Sequence, residues 1–162
     1  MTQSLYLDAC IFVAFEQQKH TSHKIVKECV AKLNNFDINI LSSEWALCEM
    51  CGVFVRDFGY SKQRAEKVAN RYLEKKKIGE IKIKFINVDT IKNVGYKDFF
   101  RFLKEQMITN KQLHLADAIH SIIMSNNKIK TILTTDRDFG AIKNVTSIHP
   151  KVFAILEINK NN

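Results

Sequence analysis

Asp8, Glu49, Asp117, Asp136 and Asp138 each stand beside an apolar run of a length suited to a buried strand or helix. A carboxylate at the margin of a core is costly unless a cation accompanies it, so five such placements suggest one shared cation. Oxygen donors select a hard divalent ion. Mg²⁺ or Mn²⁺ binds a few carboxylates, keeps several waters and accepts phosphate oxygens, whereas zinc favours His and Cys. A four-ligand zinc set could be drawn from Cys48-x-x-Cys51 and His20-x-x-His23, but the cysteine pair falls inside an apolar helical run without knuckle turns. That pair does not open a helix after a strand, as a thioredoxin-like motif would. Any one acid taken alone could equally be a solvated surface group or a helix cap.

The elements that must position these acids follow from apolar spacing and turn chemistry. Ser4 to Asp8 reads as a strand, followed by helices over Ala9 to Gln18 and Ser22 to Asn35. Ile38 to Leu41 is the next strand. Ser42-Ser43-Glu44 then supplies an N-cap and a first-turn acid for a helix reaching about Asp57. Ser61 caps a further helix that Gly79 is expected to end, and Ile81 to Val88 reads as a strand. Helices are expected over Tyr96 to Met107 and Leu113 to Ser125, a buried strand over Lys130 to Thr135, a helical turn over Arg137 to Lys143 and a strand over Val145 to His149. Alternating strands and helices predict a three-layer α/β/α sandwich with a mostly parallel central sheet. Ligands gather at the carboxyl ends of such strands, where Asp8 and Asp136 are expected.

Glu49 is the only charged residue between Trp45 and Val55, so a buried partner or a metal must explain it. On the Leu113 to Ser125 helix, Leu115, Ile119, Ile122 and Ile123 share a face, with Asp117 roughly opposite beside His114 and Ser121. That arrangement turns Asp117 toward a cleft. His114 and His120 flank it and are expected beside the ligands or on the surface rather than on the ion.

One proline, five glycines and no repeat or linker imply one domain over residues 1–162, with an extended helical segment at about 58–112. A balance of 25 basic to 17 acidic residues gives +8, which favours an anionic partner, most simply nucleic acid. An acidic protein or a membrane surface would also suit that charge. No apolar stretch approaches the roughly 20 residues of a spanning helix and the start lacks a signal peptide, so a cytoplasmic protein without membrane contact is expected. The four cysteines are expected reduced and mostly buried.

The segments Leu5-Tyr6-Leu7-Asp8-Ala9, Leu47-Cys48-Glu49-Met50, His114-Leu115-Ala116-Asp117-Ala118-Ile119-His120 and Leu133-Thr134-Thr135-Asp136-Arg137-Asp138-Phe139 stand in this order along the chain. Together they resemble a PIN domain, especially the VapC-like toxin ribonucleases of toxin–antitoxin pairs. Ile148-His149-Pro150 is similar to the closing strand of that family. The resemblance implies Asp8, Glu49, Asp117 and Asp136 as catalytic metal-binding acids, Asp138 as an auxiliary acid and Thr134 as a hydroxyl beside the site. It also implies one or two Mg²⁺ or Mn²⁺ ions and hydrolysis of RNA to products with a 5′ phosphate and a 3′ hydroxyl. An antitoxin partner and a homodimer are expected with it. The 67 residues between Glu49 and Asp117 exceed the interval in compact members, and Glu44 is a rival to Glu49 that its place at a helix start explains.

Arg64, Lys67, Arg71 and Lys75 fall within about a quarter of one helical wheel, with Ala65, Val68, Ala69, Tyr72 and Leu73 elsewhere as a core face. They form a candidate RNA-binding stripe or a solvated helix surface. Tyr96, Phe99, Phe100 and Phe102 could stack on bases or form core. A catalytically degenerate RNA-binding or protein-docking module would share this fold. A phosphotransfer enzyme with an aspartyl nucleophile would want a second acid two residues after Asp8, where Cys10 stands.

Overall fold

Residues 3–87, 104, 114–142 and 144–155 are described by a computed structural model. At its centre is the strand β1 (Gln3–Leu7), whose pleat sends Leu5 and Leu7 to one face and Tyr6 to the other. β2 (Ile38–Ser43) and β6 (Thr131–Leu133) flank β1, and β5 (Lys84–Ile86) and β7 (Thr146–Ile148) form the outer strands. The order is β5-β2-β1-β6-β7, and every pairing is parallel. Parallel neighbours need crossovers, and helices supply them.

On one face, α1 (Ala9–Glu16), α2 (His23–Leu33), α3 (Glu44–Phe58) and α4 (Lys62–Lys75) enclose a core with Leu7, Ile11, Phe12, Leu33, Met50 and Phe54. On the other, Tyr6 and Ile132 pack against Ala118, Ile123 and Met124 of α5 (Leu115–Asn126) and against Phe139. Each fully buried large apolar side chain contributes about 1.5–3 kcal/mol. The result is the expected three-layer α/β/α sandwich. A short helix α6 (Pro150–Ile155), which apolar periodicity did not indicate, packs on α2.

Ser43 and Ser61 cap their helices as expected, and Asp8 also caps α1. Asp8 accepts from Ala9 N at 2.7 Å, Ser43 from Ala46 N at 3.2 Å and Ser61 from Arg64 N at 3.2 Å. The described part of the long interval carries α4 and then short strands. α4 ends at Lys76, whose N–H reaches Tyr72 O, and the chain then forms a two-stranded antiparallel hairpin, β3 (Lys77–Ile78) and β4 (Ile81–Lys82). Gly79 is therefore a turn residue and not the helix terminator. The strand expected over Ile81 to Val88 is split at Ile83, whose N–H bonds Lys76 O at 2.8 Å, so that Lys84–Ile86 can turn to pair with β2. The expected helix Tyr96 to Met107, with its aromatic cluster, lies outside the described residues apart from Lys104.

Gly79 has φ +56°, and a Cβ there would lie 3.4 Å from Val30 Cγ1. Gly79→Ala is expected to lower stability by about 1–2 kcal/mol, because a non-glycine residue is strained in the left-handed region. A urea midpoint unchanged from wild type would contradict this reading of the hairpin.

Candidate metal centre

Sheet topology selects the location. The chain leaves β1 toward β2 on one side and leaves β6 toward β7 on the other, so the crevice between β1 and β6 is the switch point of this parallel sheet. Asp8 follows β1 and donates its N–H to Leu133 O at 3.2 Å, while Thr134, Asp136 and Asp138 follow β6. Glu49 enters from the second turn of α3, and Asp117 from the first turn of α5.

Asp8 is buried and closely held. Thr134 Oγ1 donates to its Oδ2 at 2.6 Å, Cys10 Sγ lies 3.1 Å from the same oxygen, and Ala9 N reaches Oδ1. Thr134 Oγ1 in turn accepts from Asp136 N at 2.9 Å, and Asp136 Oδ1 accepts from Asp138 N at 2.9 Å. One buried hydroxyl thus joins the acid after β1 to the loop after β6. Burial and the Asp8 charge push the Cys10 thiol well above its ordinary range, which leaves it a thiol and not a nucleophile.

The five acids expected from sequence fall into two donor groups, coupled through the charges that act on Asp117. Ligand atoms of Asp8, Glu49 and His120 lie within 4.8 Å of one another, as do those of Asp117, Asp136 and Asp138. Burial, then the charge of Asp136, with smaller contributions from Asp8 and Glu49, raises the Asp117 carboxyl to about 6, although a backbone hydrogen bond from His114 opposes this. Among the described residues the cation-capable side chain bonded to these acids is His120. Crowded carboxylates with so little neutralisation fit a divalent ion, and the oxygen-rich donor set fits Mg²⁺ or Mn²⁺.

His120 is the residue of the candidate site whose position sequence reasoning did not fix. It is fully buried, with Nε2 2.8 Å from Glu49 Oε2 and 3.5 Å from Asp8 Oδ1, and Nδ1 2.8 Å from Tyr6 Oη. Burial alone would lower its pKa, but the Glu49 hydrogen bond and the charges of Asp8, Glu49 and Asp117 prevail and raise it. This is the partner that the isolated Glu49 demanded. The available signal was a histidine three residues after Asp117, one helical turn along the same face.

The wheel for α5 needs correction. Leu115 is 52% exposed, whereas Asp117, His120 and Ser121 are buried with Ile122, Ile123 and Met124. The inward arc covers both the sheet and the acid crevice, so polarity did not mark the outward face. His114 is exposed. Glu44 lies in the first turn of α3 outside both donor groups, and neither Cys48 and Cys51 nor His20 and His23 form a donor group among the described residues. Cys29 is buried, Cys10 and Cys51 are half-buried and Cys48 is exposed, so the thiols are less buried than expected.

Arg64, Lys67, Arg71 and Lys75 lie along the exposed side of α4, with Ala65, Ala69 and Tyr72 buried beneath. Arg71 pairs with Glu16 at 2.5 Å, and the Arg64 guanidinium stacks 3.7 Å above the Tyr60 ring. No helix among the described residues is long and apolar enough to cross a membrane.

No protein-family model matches the chain, and no curated protein matches it. Solved structures do match. VapC20 of Mycobacterium tuberculosis, a sarcin-ricin loop cleaving toxin, aligns over 85% of this chain and 93% of its own, with a TM-score of 0.57 and 15% identity. VapBC2 from Rickettsia felis, bound to a DNA fragment from their promoter, aligns over 91% and 98% with a TM-score of 0.58 and 15% identity. FitAcB from Neisseria gonorrhoeae gives 91%, 98%, 0.55 and 15%. At this identity the shared feature is the PIN-like fold, in which this chain places a candidate metal-binding cluster of acids and one histidine.

In chelator, native Asp117 holds a proton up to about pH 6 that the unfolded chain releases near 4. Metal-free stability is therefore expected to fall as pH rises through that window, with the full penalty present above it. Asp117→Asn should lose this decline and melt higher than wild type at pH 7. Thermal melts in chelator from pH 4 to 8 test this, and parallel profiles for the two proteins would contradict it.

Proposed function

We propose that the protein is a Mg²⁺- or Mn²⁺-dependent endoribonuclease, the toxin of a toxin–antitoxin pair. The observation that carries this reading is the convergence of Asp8, Glu49, Asp117 and Asp136 at the switch point of a PIN-like sheet. Asp138 would help hold the ion from the loop that carries Asp136. A bound divalent ion would supply an activated water and charge stabilisation for hydrolysis of a phosphodiester. The chain's own residues place that chemistry. Thr134 fixes one Asp8 oxygen, Asp117 of α5 and Asp136 after β6 bring their carboxylates together, and the β1–β6 pairing holds the strands from which Asp8 and Asp136 emerge. No side-chain nucleophile is required, in keeping with the protonated Cys10 thiol.

The fold likeness to VapC20 and VapBC2 supports RNA as substrate and an antitoxin as partner. We assign the exposed cations of α4 to the RNA backbone, with Arg64, Lys67 and Lys75 contributing more than Arg71, which Glu16 already engages.

Purified protein incubated with labelled RNA is expected to cleave it with Mg²⁺ or Mn²⁺ and to stop in excess chelator. Asp8→Asn and Asp117→Asn each remove a ligand charge while nearly preserving shape, and each should reduce cleavage by about a hundredfold or more without unfolding the chain. Full activity in chelator, or undiminished cleavage by both variants, would overturn the assignment and favour a non-cleaving module. Replacing Arg64, Lys67 and Lys75 together by Ala should reduce the salt slope of RNA binding by about 2, at roughly 0.7 per lost phosphate contact. An unchanged slope would return the stripe to solvent or to a protein partner.

A further inference from the structure

We propose that His120 is a positioning residue for the cation site, closing a ring of side chains that sets the relative places of the three elements carrying Asp8, Glu49 and Asp117. This rests on the metal-site reading above. The ring begins at Ser43, the N-cap of α3, whose Oγ bonds Ala46 N. Tyr6 Oη of β1 lies 2.5 Å from Ser43 Oγ and 2.8 Å from His120 Nδ1, and His120 Nε2 of α5 donates to Glu49 Oε2 at 2.8 Å. Glu49 lies on α3, so the chain of hydrogen bonds returns to the helix on which it started.

Each link has a physical reason. His120 and Tyr6 are both fully buried, where an unpartnered ring nitrogen or phenol would be costly, and every polar atom of the pair has a partner in this ring. Glu49 is different, because its side chain is 29% exposed and carries several rotatable bonds. Without a donor it would spread into solvent, and the entropy of gathering it would weaken any ion bound there. Asp8 follows β1 directly after the strand that carries Tyr6, and Asp117 precedes His120 by one turn of α5. The same ring thus constrains three acids from elements distant in sequence. Hydrogen-bond partners of metal-binding carboxylates commonly alter metal affinity by about 10–100-fold when removed.

Mn²⁺ titration of the intact protein without RNA, read by calorimetry and electron paramagnetic resonance, tests this separately from catalysis. His120→Leu is expected to bind Mn²⁺ about 10–100-fold more weakly than wild type. His120→Gln keeps an amide donor near the Nε2 position and should recover most of the loss. Tyr6→Phe leaves every acid and the imidazole in place yet frees the ring to turn, so a several-fold weakening is expected; this variant carries the test if His120→Leu does not fold. Circular dichroism and a cooperative melt establish folding. Wild-type affinity in both His120→Leu and Tyr6→Phe would overturn the positioning role while leaving the metal site intact. Failure of His120→Gln to improve on His120→Leu would overturn its hydrogen-bond basis. A nitrogen coupling from directly bound imidazole in the wild-type Mn²⁺ spectrum would replace positioning by ligation. Absence of Mn²⁺ binding in wild type would overturn the metal-site reading itself.

Discussion

Carboxylates cannot be gathered at one edge of an apolar sandwich without something to offset their repulsion, and this constraint governs the molecule. Asp117 shows the cost most directly, since burial and the neighbouring Asp136 hold its carboxyl near 6. The described residues offset only part of that cost. Asp8 receives a backbone N–H, the Thr134 hydroxyl and the Cys10 thiol, and Glu49 receives His120, but no lysine or arginine among the described residues is bonded to the group. A divalent cation bound there would supply the remaining charge.

The fold makes such crowding possible because its strongest elements hold the acids in place. β1 is buried on both faces and paired on both sides, and the two loops that matter emerge from β1 and β6 at the point where chain direction diverges. The Asp8–Thr134–Asp136–Asp138 series of hydrogen bonds then connects those loops without using regular structure. Helices bring the other two acids in from opposite faces of the sheet. α3 packs with the Leu7 and Phe12 core and α5 with the Tyr6 and Phe139 core, so the candidate metal centre lies where both cores meet the crevice.

The 15% identity to VapC20, VapBC2 and FitAcB shows how little of a PIN-like sequence is needed to keep its architecture. The sandwich depends on an apolar pattern that many sequences satisfy. The specific polar interior of this chain, with Tyr6, Ser43 and His120 all buried and mutually bonded, is a separate choice laid over that pattern. Buried polar groups of this kind tolerate few alternatives, because loss of one partner leaves the others unsatisfied.

By itself the sequence determined the alternation of strands and helices, the capping residues Ser43 and Ser61, and the five candidate acids set beside apolar runs. These are local signals: periodicity, N-cap chemistry and charge set into apolar runs can be read within about ten residues. Only the tertiary structure decided which face of α5 turns inward, that Gly79 turns a hairpin, and that the strand expected after it divides between two sheets. It alone made His120 the partner of Glu49. The physical reason is distance along the chain: Tyr6, Ser43, Glu49 and His120 meet only after the crossovers have stacked β1, α3 and α5, and no local pattern encodes a hydrogen bond whose partners are 71 or 114 residues apart.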